Sequence, residues 1–152
     1  MTKNPARDER ASIHATAVLT GKRAILIRGP SGSGKSRLAF DLILAGRAGL
    51  IPTTTLIGDD RVRMGVHQGA LQVRGVTELQ GQIEIRGLGI RSTHWVPEGI
   101  VELVVDLAAT DAERLPPPEA RVTTLLGIEV ARIPVAAGHA PLPLVMAFLT
   151  TT

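Results

Sequence analysis

Apolar and polar positions alternate along the chain in short blocks, and the spacing within each block predicts an element. Ile13 to Leu19 is apolar enough for a short edge strand, closed by a Gly21-Lys22 turn. Arg23 to Arg28 holds three consecutive large apolar residues, Ile25, Leu26 and Ile27, as a central strand covered on both faces does. Gly29 to Ser36 then reads as a loop, and Lys35 to Arg47 as a helix. Leu38, Leu42 and Ala45 form one stripe of that helix, widened by Phe40, Ile43 and Leu44, and Gly46 and Gly49 stop it. Thr53 to Ile57 is a β-branched strand ending at Gly58-Asp59-Asp60. From Arg61 the period changes to two: Val62, Met64 and Val66 alternate with Arg61, Arg63 and Gly65, and Leu71 and Val73 alternate after Gln68-Gly69. That pattern predicts an antiparallel hairpin. Further strands are expected at Ile83–Arg86, Gly99–Leu107, Val122–Leu126 and Ile128–Val135, a helical turn at Thr77–Gln82, and a last helix at Pro141–Leu149. Gly87 to Ile90 reads as a functional loop or a bent strand.

Composition narrows the possibilities. A chain of 152 residues, 44% hydrophobic, suits one domain. The balance of 17 basic and 14 acidic residues is weak ground for nucleic-acid binding, and Phe40, Phe148 and Trp95 offer no stacking surface. The absence of cysteine excludes disulfides, thiolate metal sites and a cysteine nucleophile. No apolar run approaches the roughly 20 residues of a membrane span. The segment MTKNPARDERAS lacks the apolar core of a secretory signal. We therefore expect a disordered tail over 1–11, a soluble domain over 12–152, and a cytoplasmic location.

Three of the basic residues are lysine, and one of them, Lys35, lies in Gly29-Pro30-Ser31-Gly32-Ser33-Gly34-Lys35-Ser36, a complete GxxxxGK[ST] phosphate loop. A phosphate chain needs converging backbone N–H groups, hence little side-chain bulk at Gly29, Gly32 and Gly34. The helix starting at Lys35 adds its unpaired N–H groups. Lys35 reaches the β- and γ-phosphates, and Ser36 offers a hydroxyl to Mg²⁺. The flanking strand and helix supply the context the motif requires.

Asp59 and Asp60 end the strand after that helix, where ligands of open α/β sheets bind. One carboxylate can hold Mg²⁺, and the other can accept the proton of an attacking hydroxyl; adjacency alone does not say which does which. His14 opens the strand leading to the loop and is within reach of the acidic pair. Glu84 and Arg86 share one face of an extended segment, suiting a metal contact and a phosphate contact. Arg91 and Arg114 are further candidates for phosphate. His67, His94 and His139 are too scattered for a metal centre.

These landmarks resemble one family. The segments starting at His14-Ala15-Thr16, the phosphate loop, Leu56-Ile57-Gly58-Asp59-Asp60-Arg61-Val62, and above all Glu84-Ile85-Arg86-Gly87-Leu88-Gly89-Ile90 are similar to the catalytic domain of HPr kinase/phosphorylase. That bacterial serine kinase acts on the histidine-containing phosphocarrier protein HPr of the sugar phosphotransferase system. The likeness covers about positions 12–150. It implies a phosphoenolpyruvate-carboxykinase-like P-loop fold, with a mixed sheet and an added antiparallel hairpin. It also implies ATP and Mg²⁺ as cofactors, HPr as protein substrate, and a homo-oligomer, hexameric in the family. Without the family's separate N-terminal domain, the chain resembles the short single-domain type of alphaproteobacteria.

Carried over by position, Gly29 to Ser36 cradle ATP, Asp60 is the base, Asp59 contacts the metal with Ser36, and His14 orients a carboxylate or touches the transferred phosphate. Glu84 resembles an additional metal-side carboxylate, Arg86 belongs to the signature, and Arg114 resembles an arginine near the phosphate site. The chain departs from the family where Ile133-Pro134-Val135 runs into Ala136-Ala137-Gly138-His139-Ala140 rather than a basic Gly-Arg-Asn segment. The departures touch regions that serve oligomer contacts, docking and the reverse reaction, so the expectation extends to the kinase and not to the phosphorylase. A small-molecule kinase and a non-catalytic ATP-sensing module are the competing readings.

Overall fold

The computed structural model describes residues 11–152. Its elements are β1 (Thr16–Thr20), β2 (Arg23–Arg28), α1 (Lys35–Arg47), β3 (Thr54–Gly58), β4 (Val62–His67), β5 (Ala70–Gly75), β6 (Gln82–Ile85), β7 (Gly89–Ser92), β8 (Glu98–Leu107), β9 (Val122–Leu125), β10 (Ile128–Val135) and α2 (Leu142–Thr150). Short 3-10 turns lie at Thr77–Leu79 and Pro118–Arg121. Apart from Ala11, the tail expected over 1–11 lies outside the described residues. Among the described residues, no helix is long and apolar enough to cross a membrane.

The main sheet runs β3-β1-β2-β8-β10-β9. Strand β8 is parallel to both β2 and β10, while β1 is antiparallel to β2 and to β3. The edge position expected for Ile13–Leu19 therefore belongs to β3, and β1 is an interior strand. Its residues explain why: Thr16, Ala17, Val18 and Thr20 are buried, so β1 is covered on both faces. The predicted hairpin is β4–β5, with Val62 opposite Gly75 and His67 opposite Ala70. It joins the sheet through β5, which pairs with Glu98, Gly99 and Ile100 at the start of β8. Strands β6 and β7 form a separate two-stranded hairpin carrying the Glu84–Ile90 signature.

Period-two alternation divides the core between the two faces of this sheet. Ile25 and Ile27 of β2 point to the side of α1 and pack with Leu38, Leu42, Leu103, Val105 and Val145. Ala24 and Leu26 point to the other side and pack with Ile57, Val62, Leu71, Val73 and Val104. Helix α1 buries Leu38, Ala39, Leu42, Ile43 and Ala45. Leu44, expected to widen that face, is 42% exposed, because its position on the helical wheel lies opposite the Leu38–Leu42 stripe.

The interposed β1 has a direct consequence for the site. Since β1 runs opposite to β2 and β3, its first residues lie beside their last ones. Thr16 is paired with Ile27, and Ala17 with Gly58. The start of β1, the exit of β2 into the phosphate loop and the acidic end of β3 thus meet on one rim.

Candidate active site

The phosphate loop leaves β2 at Gly29 and enters α1 at Lys35. Gly34 caps the helix in the left-handed region, φ 101°, with no side-chain cap and no acidic residue in the first turn. The N–H groups at this end thus keep their capacity for an anion. Lys35 is buried, and its Nζ donates to the carbonyls of Gly29 at 2.8 Å and Pro30 at 3.1 Å, which curls the loop around the ammonium. The Ser33 N–H donates to Pro30 O at 3.0 Å. Ser31 and Gly32 are exposed at the loop's crest. A Cβ built on Gly32 would lie 3.9 Å from Arg86 Nη2, so the signature arginine stands beside the loop.

Asp59 is buried against the loop and accepts three hydrogen bonds. Ser36 Oγ donates to its Oδ1 at 2.6 Å, Thr16 Oγ1 to the same oxygen at 2.9 Å, and the Glu84 N–H to its Oδ2 at 2.9 Å. Asp60 faces away. The Arg61 N–H donates to Asp59 O at 2.7 Å, closing a three-residue turn around Asp60, whose φ is 67°. Such a turn is strained, by roughly 1–3 kcal/mol for a non-glycine residue, and strain of this kind collects at functional positions. It leaves the Asp60 side chain 63% exposed, with His14 Nε2 donating to its Oδ1 at 2.7 Å.

The two aspartates, inseparable by adjacency in sequence, are thereby separated in environment. Asp59 is inward, next to Ser36; Asp60 is outward, next to His14. Ser36 and Asp59 together offer two oxygen donors at the loop's edge. That set suits Mg²⁺, a hard cation that takes one or two protein oxygens and fills its shell with phosphate and water. Among the described residues, no three His, Cys, Asp or Glu side chains gather into a metal cage. The link shown by Glu84 runs through its backbone N–H, and its side chain is exposed.

The rim therefore brings together Gly29 to Ser36, Asp59, Asp60, His14, Arg86 and the Glu84 backbone. Arg114 lies exposed on the β8–β9 connection, with no bond to the loop among the described residues. Arg91, His67, His94 and His139 are likewise exposed.

Two groups escaped the sequence reading. Thr16 reads as an ordinary β-branched strand residue, yet its hydroxyl links both aspartates, accepting from the Asp60 N–H at 3.2 Å. Asp106, at the end of β8, was legible only as a polar residue ending an apolar run. Both its oxygens are taken by Arg28, the residue before the loop, at 2.7 Å each, and Arg132 Nε adds a bond of 2.6 Å. Arg132 also pairs with Asp111 at 2.7 and 3.1 Å. Burial works to raise the Asp106 carboxyl, but the hydrogen bonds and charges of Arg28 and Arg132 outweigh it and hold the group below the usual carboxylate range. Asp111 is lowered chiefly by its bond from Arg132, and the Arg132 guanidinium is raised mainly by its bond to Asp111. Asp106 is thus a structural carboxylate, saturated by arginines, and Asp59 is the strand-end acid with oxygens facing the loop.

Fold and rim together define a mixed α/β domain with a complete phosphate loop closed by an acidic strand end. The model of the family described as HPr Serine kinase C-terminal domain matches residues 7–150. The chain belongs to the HPr kinase/phosphorylase family. It is 32% identical to the HPr kinase/phosphorylase of Aromatoleum aromaticum, over 86% of this chain and 44% of that protein. It is 33% identical to the one from Mycoplasma mycoides subsp. mycoides, over 85% of this chain and 44% of that protein. The chain thus spans less than half the length of these curated relatives. A solved structure, the Hpr(Ser) kinase/phosphatase from Coxiella burnetii, shares the fold with a TM-score of 0.72 at 24% identity, covering 91% of this chain and 87% of that one.

Proposed function

We propose that the chain is an ATP-dependent serine kinase whose protein substrate is the phosphocarrier HPr. One observation carries this reading: Ser36 Oγ meets Asp59 Oδ1 at 2.6 Å while the adjacent Asp60 bonds His14 at 2.7 Å. A phosphate loop and an acidic strand end then close on one triphosphate, with a second acid left for the acceptor. Family membership supplies the substrate class, and the core is of the phosphoenolpyruvate-carboxykinase-like P-loop kind in this reading.

In the proposed reaction, a seryl oxygen of the carrier bonds to the γ-phosphorus as the bridging β–γ bond breaks. ADP departs with that electron pair, and the hydroxyl proton passes to Asp60. The loop N–H groups, Lys35 and Arg86 bind and orient the phosphates, where charge spreads over the phosphoryl oxygens. Ser36 and Asp59 would hold Mg²⁺, with the Glu84 carboxylate as a further contact, and Arg114 would serve the phosphates. Bound Mg²⁺ neutralises phosphate charge. His14 donates to Asp60 and aims the carboxylate at the acceptor.

The same reading includes a cytoplasmic site of action and a homo-oligomeric, family-like assembly, which sedimentation tests directly. The deciding experiment is incubation with γ-labelled ATP and Mg²⁺, with and without HPr. Label on an HPr serine is the expected result. Tight ATP binding with no transfer would select a sensing module, and transfer to a small molecule alone would select the other kinase reading.

A further inference from the structure

Thr16 is fully buried, and its one hydroxyl touches both members of the acidic pair. Its single proton goes to Asp59 Oδ1 at 2.9 Å, and its oxygen accepts the Asp60 N–H at 3.2 Å. The polarity of both bonds is fixed, because the Asp59 carboxylate accepts and the amide donates. We propose that Thr16 is a positioning residue: it holds Asp59 inward against the phosphate loop and pins the strained turn that aims Asp60 outward at His14.

The other partners of Asp59 make this role specific. Ser36 Oγ, at 2.6 Å, is also the hydroxyl that a phosphate loop offers to a divalent cation. Once that hydroxyl turns to the cation, Asp59 keeps two fixed donors, Thr16 and the Glu84 N–H. Of these, Thr16 stands on an interior strand of the main sheet, whereas Glu84 belongs to the separate β6–β7 hairpin. Thr16 is therefore the donor that ties the acid to the sheet when the site is loaded. The Asp60 turn gains from the same hydroxyl, because the amide of this residue at φ 67° donates to Thr16 Oγ1 and is held there.

The use made of the carboxylates rests on the kinase reading, whereas the bonds themselves do not. The test therefore has two readouts. Thr16→Val, Thr16→Ala and Thr16→Ser proteins are compared with the parent for ADP binding by calorimetry, with and without Mg²⁺, and for transfer from ATP to HPr. A positioning role predicts that the valine and alanine variants lose about tenfold in the Mg²⁺ enhancement of ADP affinity, with metal-free ADP affinity within about twofold of the parent. Their kcat falls about 10- to 100-fold with KM for ATP within about threefold, and the serine variant retains both properties. Parent-like enhancement in the valine and alanine variants, an equal loss in the serine variant, or an equal fall of metal-free binding in all three would overturn it. If the valine variant does not fold, alanine and serine decide. If the parent transfers no phosphate to HPr, the kinase reading fails, and calorimetry alone decides Thr16.

Discussion

Ser36 Oγ donates to Asp59 Oδ1 at 2.6 Å, joining the first turn of α1 to the end of β3. The contact fixes the distance between the phosphate loop and the acidic strand end. Ser36→Ala removes the hydroxyl and leaves Asp59 its bonds from Thr16 and Glu84. The expected outcome is a folded protein whose affinity for Mg·ADP drops about tenfold or more, with metal-free ADP nearly unaffected. Calorimetry with and without Mg²⁺ checks this, and an equal loss under both conditions would mean that Ser36 serves the loop and not the cation.

Asp60 occupies a left-handed turn that asparagine also tolerates. Asp60→Asn should therefore keep fold and nucleotide affinity while phosphoserine formation falls at least about 100-fold. Asp60→Gly should lose transfer to the same extent yet melt no lower than the parent, since glycine relaxes the turn. Full transfer by the asparagine variant would remove Asp60 from the base role.

Gly29 has φ 156°, and a Cβ there would lie 2.6 Å from Ser33 Oγ and 3.0 Å from Leu107 Cβ. Gly29→Ala must push the loop away from the end of β8. A loss of about 1–3 kcal/mol in stability is expected, together with weaker ADP binding. Chemical denaturation and nucleotide titration measure the two effects separately. The neighbouring Ser33 hydroxyl is buried with no hydrogen-bond partner among the described residues. Ser33→Ala should therefore be neutral or stabilising toward denaturation.

Asp106, bonded by Arg28 and Arg132, contributes stability with a definite pH signature. Its folded-state value lies below that of the unfolded chain, so the contribution is complete above the ordinary carboxylate range and fades as pH falls through the lowered value. Asp106→Asn should cost about 2–3 kcal/mol at pH 7, and the deficit should shrink below about pH 4. Urea unfolding at neutral and acid pH tests this; a deficit constant across the range would assign the loss to packing.

Much of this architecture was readable in the residues because local chemistry dictates it. Gly29 to Ser36, the helix after it, and the Val62–Gly75 hairpin each carry their own turn glycines and period. The neighbours of a strand carry no such signal: an alternating or apolar run says that β1 is covered, and not that β3 pairs on its far side. For the same reason Thr16 was silent, since a hydroxyl bridging two acids looks in sequence like any β-branched strand residue. The division between Asp59 and Asp60 depends on a turn at φ 67°, which follows from the pairing of Ile13 with Val62 just beyond it. Leu44 shows the opposite error, an apolar residue credited to the core although its angle on the helix forbids it.

Strand β1 enters the sheet from the rim that carries Lys35 and Asp59, so Ile13 and His14, immediately ahead of it, stand at that rim too. A substitution at Ile13 therefore reaches the acidic turn, because the backbone bonds between Ile13 and Val62 close the segment that carries Asp60.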